Sequence, residues 1–220
     1  MFLSKRLESI ISIVSPVETL ADIGTDHALL LIELLKRNII LQGIAIDNKE
    51  GPLAIAQRNV VSEGLTDKIR LLKSDGALEL KTTSQAWVIA GIGGENTLEI
   101  IEKSLSKAQQ LEQLILAPHS KIEVVRTRLA ELNFKIRAEQ LVKDEKFYVI
   151  LNAQYNKNQQ QLTLKEKYLG NLESDPLYEE YVRSLLETYL QINLLQTRKD
   201  PQLKDVIEML ESELRKKVIR

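Results

Sequence analysis

Leu3, Leu7, Ile10 and Val14 fall at spacings of three and four behind Ser4. That period predicts a helix capped by Ser4 and ended by Pro16. The pattern then changes. Five short apolar runs, residues 19–23, 43–46, 69–72, 87–90 and 114–117, alternate with longer amphipathic stretches. One stretch is predicted to open as a helix at Pro52, to bury Leu53, Ala56 and Val60, and to stop at Gly64. Another carries Ile122, Val125, Leu129 and Leu132 on one face. Short buried strands alternating with helices predict a parallel sheet covered by helices. Residues 134–141 and 146–154 follow, separated by a short polar link, and predict an antiparallel pair at the end of that sheet. The expected class is α/β with seven strands.

The polar run "YNKNQQQLT" reads as a linker. Beyond it Tyr178, Tyr181, Leu185, Tyr189 and Ile192 form one helical stripe, and Leu203, Ile207, Leu210 and Leu214 form another. "TRKDPQ" separates them, with Asp200 placed as a cap and Pro201 at the first helical position. Two such stripes predict an antiparallel helical hairpin whose seam is apolar. The expected domains are residues 1–155 and 161–220.

Composition narrows the class. The 220 residues are 44% hydrophobic and 28% charged, an ordinary globular balance. Cysteine is absent, which excludes disulfides and a thiolate metal site; no metal is expected. Lys5, Arg6 and Glu8 interrupt the apolar residues near the start, which argues against a signal peptide, and no apolar run is long enough to span a membrane. A cytoplasmic protein is expected. The formal net charge of −1 means that nucleic acid would be held through local patches.

The strand ends carry the chemistry. In "LADIGTDHALL" a strand reaches Asp22, turns at Gly24 and meets Asp26 and His27. Ligands of open α/β sheets bind beyond the carboxyl ends of the strands. A dinucleotide fold would place G-x-G-x-x-G here for a pyrophosphate. Two carboxylates repel a pyrophosphate and suit a cationic ligand without phosphate, such as S-adenosylmethionine. Asp47, 25 residues after Asp22, ends the second strand and suits a ribose diol. Asp75 and Gly76 follow the third strand, where Asp75 can accept from an adenine amine. After the fourth strand "AGIGGEN" brings Ala90 and Gly91 to the cofactor and leaves room at Gly93 and Gly94 for a flat substrate. Four such pieces at successive strand ends indicate a class I methyltransferase. The rivals are an NAD-dependent oxidoreductase and a non-catalytic RNA-binding or scaffold protein with a degenerate methyltransferase fold.

"LSKRL", "LADIGTDHA", "GP" at residues 51–52, "VIAGIGG" and "LILAP", in this order over residues 3 to 150, resemble the bacterial tRNA (adenine-22-N1)-methyltransferase family. The resemblance implies a Rossmann-like domain, a C-terminal coiled-coil domain, and methyl transfer from S-adenosylmethionine to N1 of adenine 22 of tRNA. The chain departs from the family at Leu30 and Leu31 (usually a proline), Asp47 (usually Glu), His119 (usually Asn) and Val149 (usually Glu). For such a transfer Asp26 is the first candidate to stabilise charge formed on the base, and His27 the second. Tyr148 and Arg126 are candidates to stack on an exposed base, and Lys5 and Arg6 to contact phosphates. His119 reads as a surface residue, and the hairpin with its basic tail "RKKVIR" as a clamp on the tRNA body.

Overall fold

The computed structural model describes residues 3–81, 83–158, 161–196 and 200–218. The chain divides into two compact units, Met1–Gln161 and Leu162–Arg220.

In the first unit, α1 (Lys5–Ile13) begins where the Ser4 hydroxyl accepts from the Leu7 amide. There follow β1 (Val17–Ile23), α2 (Leu29–Lys36), β2 (Ile40–Asp47), α3 (Glu50–Ser62), β3 (Ile69–Lys73), β4 (Ala86–Ala90), α4 (Gly94–Lys103), α5 (Leu105–Ala108), β5 (Gln113–Ala117), α6 (Ile122–Glu131), β6 (Phe134–Lys143) and β7 (Phe147–Tyr155). The strands form one sheet in the order β3-β2-β1-β4-β5-β7-β6. β1 to β5 are parallel, and β7 runs antiparallel to both β5 and β6. This is the expected Rossmann-like, seven-stranded α/β sheet.

Burial explains the apolar runs. Every residue of β5 is buried, as are four of the five in β4, because helices cover both faces there. The edge strand β3 buries only Ile69. α2 buries Leu30, Leu31, Ile32, Leu34 and Leu35, so the helix is apolar almost all round. Helix α3 starts at Glu50, so Pro52 is its third residue and not its first. The first turn tolerates it because amides there have no partner inside the helix.

α1 is held by polar clamps that hydrophobic spacing does not reveal. The Gln113 side chain accepts from the Ser15 amide and donates to the Ser15 carbonyl, at 2.8 and 2.9 Å. The Gln140 amide donates to the Ser9 carbonyl. Together they fasten the end of α1 to β5 and β6, which fixes where Lys5 and Arg6 emerge.

The second unit contains α7 (Leu164–Leu169), α8 (Tyr178–Leu195) and α9 (Pro201–Val218). α7 was not legible as a helix; it is six residues long and rests on a capping box between Thr163 and Glu166. α8 and α9 pack on each other, with Tyr178, Tyr181, Leu203, Val206, Ile207 and Leu210 buried. The Asp200 carboxylate accepts from the Gln202 amide at the start of α9. Residues 197–199 of the connecting turn, and 219–220 of the basic tail, lie outside the described residues. Two details differ from the expected seam. Ile192 is exposed, and Glu213 rather than Leu214 is buried in the last turns of α9. Glu213 is tolerated there because Lys165, Lys216 and the Tyr178 hydroxyl all meet its carboxylate. Among the described residues no helix is long and apolar enough to cross a membrane.

Candidate active site

β1 and β4 are neighbours although β2 and β3 lie between them in sequence. The sheet therefore reverses its winding between these two strands, and the crevice beyond their carboxyl ends is where such folds hold ligands. The turn after β1 opens that crevice. The amides of Gly24 and Thr25 both donate to the Ile46 carbonyl, at 2.8 and 2.9 Å, which bends the chain over the end of β2. Gly24 has φ +79°, a conformation that side chains disfavour.

Beneath the turn Asp22 is buried and accepts from the Thr25 hydroxyl at 2.6 Å. Burial raises its pKa to about 6, against the lowering effect of Thr25; the nearby charges of Asp26 and Asp47 raise it further. No basic partner offsets this carboxylate among the groups that shift it. A cationic ligand beside the turn would be attracted to this carboxylate. Thr25, itself buried, was missed by sequence reading; a hydroxyl three residues after a strand-end acid was its only signal.

Asp26 stands on the exposed part of the turn, its side chain 86% accessible, with the His27 ring 3.4 Å away. His27 and Ala28 both have positive φ, 62° and 60°. Such backbone costs on the order of 1–2 kcal/mol per residue and persists only where the surroundings hold it. Asn59 of α3 supplies one restraint, donating to the His27 carbonyl at 2.9 Å.

Gly24, Asp47, Asp75 and Gly76 line one cavity of about 420 Å³, together with Ile92 and Asn96. The Asp47 carboxylate accepts from the Lys49 amide at 2.7 Å. Asp75 pairs with Lys103 at 3.0 Å. Ile92 and Asn96 reach this cavity from the β4–α4 region and were not singled out from sequence. A ligand with a ribose and a heterocycle fits its mixed lining of acids, glycines and isoleucines.

One strand further along, Ala90 ends β4 and Gly91 follows it. A Cβ placed on Gly91 would lie 3.8 Å from the Arg6 guanidinium and 3.9 Å from the His119 ring. Arg6 donates to His119 Nε2 and lies over the Tyr148 ring, 5.2 Å from its centroid. Lys146 lies over the same ring at 5.3 Å and donates to the His119 carbonyl. His119 meets Tyr148 edge-on at 5.6 Å. The fold thus gathers Arg6, His119, Lys146 and Tyr148 from distant parts of the sequence. The stacking expected of Tyr148 has to compete with the two cations over its ring. Lys5 is exposed on α1, and Gly93 caps α4.

Two expected substrate residues are corrected. Arg126 does not face solvent: its side chain is 0% exposed and is ion-paired at 2.7 Å with Glu139, itself 2% exposed. A guanidinium locked between α6 and β6 offers no plane to a base. Gly94 is buried, and a Cβ there would sit 2.6 Å from the Ser120 carbonyl oxygen and 2.9 Å from Val125. It is a glycine so that α4 can pack against the turn before α6.

Residues 3–151 match the model of the methyltransferase domain family. The chain is 30% identical over 154 residues to the Bacillus subtilis tRNA (adenine(22)-N(1))-methyltransferase, a match that covers 69% of this chain and 65% of that protein. It is similar in structure to a Streptococcus pneumoniae protein solved in complex with S-adenosyl-L-methionine and provisionally assigned as a tRNA (m1A22) methyltransferase: 32% identity, 97% of this chain and 100% of that one covered, TM-score 0.87. It is also similar to Mycoplasma capricolum TrmK in complex with S-adenosyl-homocysteine: 25% identity, 99% and 98% covered, TM-score 0.81.

Proposed function

We propose that this chain, which belongs to the methyltransferase domain family and within it to the bacterial tRNA (adenine-22-N1)-methyltransferases, transfers a methyl group from S-adenosylmethionine to N1 of adenine 22 in tRNA. The observation that carries the reading is the buried, uncompensated Asp22 beside Asp26 and Asp47, at the reversal point of the sheet. That charge pattern attracts a sulfonium and an ammonium and repels the pyrophosphate of a nicotinamide dinucleotide. A cytoplasmic location accords with a tRNA substrate.

S-adenosylmethionine supplies the electrophilic methyl. The residues of this chain bind and orient. Asp22 sets the negative potential beneath the Gly24 turn, Asp47 accepts from the ribose hydroxyls, and Asp75 accepts from the adenine amine while sharing Lys103. Ala90 and Gly91 border the cofactor, Gly93 leaves room for the acceptor base, and Lys5 and Arg6 contact tRNA phosphate. The N1 lone pair attacks the methyl carbon as the carbon–sulfur bond breaks, and the pair from that bond stays on sulfur. The base becomes cationic, and Asp26, with His27 beside it, stabilises the charge as it forms. Holding nucleophile, methyl and sulfur in line is the main work of the site.

The test is transfer of tritium from labelled S-adenosylmethionine into tRNA that lacks the modification, followed by nucleoside mapping. Label in 1-methyladenosine at position 22 is the expected result; label elsewhere, or none, overturns the reading.

Asp47→Ala is expected to weaken binding of S-adenosylmethionine by about 1.5–3 kcal/mol through lost charge-assisted hydrogen bonds, and an unchanged dissociation constant by calorimetry would remove Asp47 from the site. The Asp22 charge acts oppositely on stability and on cofactor binding. Its carboxyl holds a proton more tightly when folded, so this group stabilises the fold at low pH and that stability is lost as pH rises from 3.8 to about 6. Asp22→Asn keeps an acceptor for Thr25 without the buried charge. It should therefore raise stability by about 2–3 kcal/mol at pH 8, by a gain that shrinks as pH falls from 6 towards 4. The same variant should bind S-adenosylmethionine more weakly. Denaturant melts across this pH range, with calorimetry at pH 8, check both halves; a variant destabilised at pH 8 would show that the carboxylate is compensated.

A further inference from the structure

The cluster beside Gly91 assigns a role to His119. Arginine only donates hydrogen bonds, so the contact from Arg6 makes Nε2 of His119 the acceptor. In the neutral ring the proton is then on Nδ1. Burial, and then the charges of Arg6 and Lys146, lower the pKa of His119, which favours the neutral ring. The backbone is fixed as well. The His119 amide donates to the Ile92 carbonyl at 2.8 Å, and its own carbonyl accepts from Lys146 at 3.1 Å. The Tyr148 ring packs edge-on against the imidazole. The residue is exposed all the same, and among the described residues nothing accepts from Nδ1. With one ring nitrogen, both backbone groups and one ring edge engaged, His119 keeps a single free donor, Nδ1–H, on a ring whose Nε2 stands beside Gly91.

We propose that His119, held in the Nδ1–H form by Arg6, is a positioning residue that donates to a ring nitrogen of the acceptor adenine other than N1. The inference rests on the methyl-transfer reading above. Adenine offers N7 and N3 as ring acceptors besides N1, while its exocyclic amine is a donor. A donor from His119 therefore fixes the rotation of the base in its plane and leaves the N1 lone pair free for the methyl. The neutral ring does so without adding a second positive charge to a base that becomes cationic. Arg6 acts through His119 and through the face of Tyr148.

The experiment compares the full-length wild type with H119A, H119N and H119Q. S-adenosylhomocysteine affinity is measured by calorimetry, and kcat and KM are measured on unmodified tRNA. Asparagine places an amide N–H close to where Nδ1 stands, whereas glutamine places its amide near Nε2. H119A and H119Q are expected to lose about 10–100-fold in kcat, as for a reacting base out of line, with S-adenosylhomocysteine affinity changed less than about twofold. H119N should recover most of the loss. The contact itself is tested with tRNA carrying 7-deazaadenosine or 3-deazaadenosine at the target position. One of the two should slow the wild type and leave H119A no slower than it already is. Full activity of H119A, an equal effect of both analogues on wild type and H119A, or loss of S-adenosylhomocysteine binding in parallel with activity would each overturn the proposal. A wild type that binds S-adenosylhomocysteine but methylates no tRNA would overturn the underlying reading, and this inference with it.

Discussion

A chain cut after Gln161 is expected to bind S-adenosylmethionine with nearly the full-length affinity and to methylate no tRNA. All the proposed cofactor contacts, from Asp22 to Gly91, lie in the first compact unit, which has its own core and sheet. Grip on tRNA is a different matter. Residues 1–161 carry twenty Lys and Arg against twenty Asp and Glu. Many of these cations are committed: Arg37 to Glu8, Lys73 to Glu50, Lys121 to Glu95 and Arg128 to Glu102. Lys5, Arg6 and Lys146 make a small patch, and neutralising a few phosphates gives weak, salt-sensitive binding. The second unit adds surface that is not basic overall, with ten basic against eleven acidic residues. In its tail Arg215 pairs with Glu211 and Lys216 with Glu213. Its expected contribution is therefore shape and position more than bulk charge. Calorimetry with S-adenosylhomocysteine and tritium transfer into tRNA separate the two functions. A folded truncation that methylates tRNA at the full-length rate would assign the helical unit to protein docking or self-association.

Arg126→Ala is expected to cost about 3–5 kcal/mol of stability, because it strands the Glu139 carboxylate in the interior. Both side chains are almost fully buried, so solvent screens little of the loss. Replacing the pair together, Arg126→Met with Glu139→Leu, should recover most of the stability, since an apolar pair of similar volume avoids the desolvation of two charges. Trp87, the one tryptophan of the chain, is buried on β4 and reports on the first unit alone. Urea melts followed by its fluorescence give the difference. A loss below about 1 kcal/mol would match an exposed pair and would reopen Arg126 as a candidate for base contact.

What the sequence determined about this protein is what local physics writes into it. Short apolar runs alternating with helical periods gave the seven strands in order, because a strand covered by helices on both faces is apolar throughout whereas most helices bury a single stripe. Turn and cap chemistry located Ser4 before α1, Asp200 and Pro201 before α9, and Gly24 at the exit of β1. A single acid at a strand end is often only a turn former or a helix cap; Asp22, Asp47 and Asp75 stood out because such pieces recur in order at successive strand ends. The tertiary structure decided which ends become neighbours. Only the strand order puts the β1 turn beside the end of β4 and makes one crevice of them. Burial depth was equally hidden. Asp22 and Asp26 look alike in sequence, yet one is enclosed and holds a raised pKa while the other is 86% exposed. Arg126 read as a surface cation because its partner, Glu139, stands thirteen residues away on another element. Arg6, His119 and Tyr148 share no period or motif and meet only after α1 is clamped to β5 and β6. The reason is common to all four cases: propensity and periodicity act between near neighbours in the chain, whereas desolvation and charge pairing depend on distances in space that only the packed fold sets.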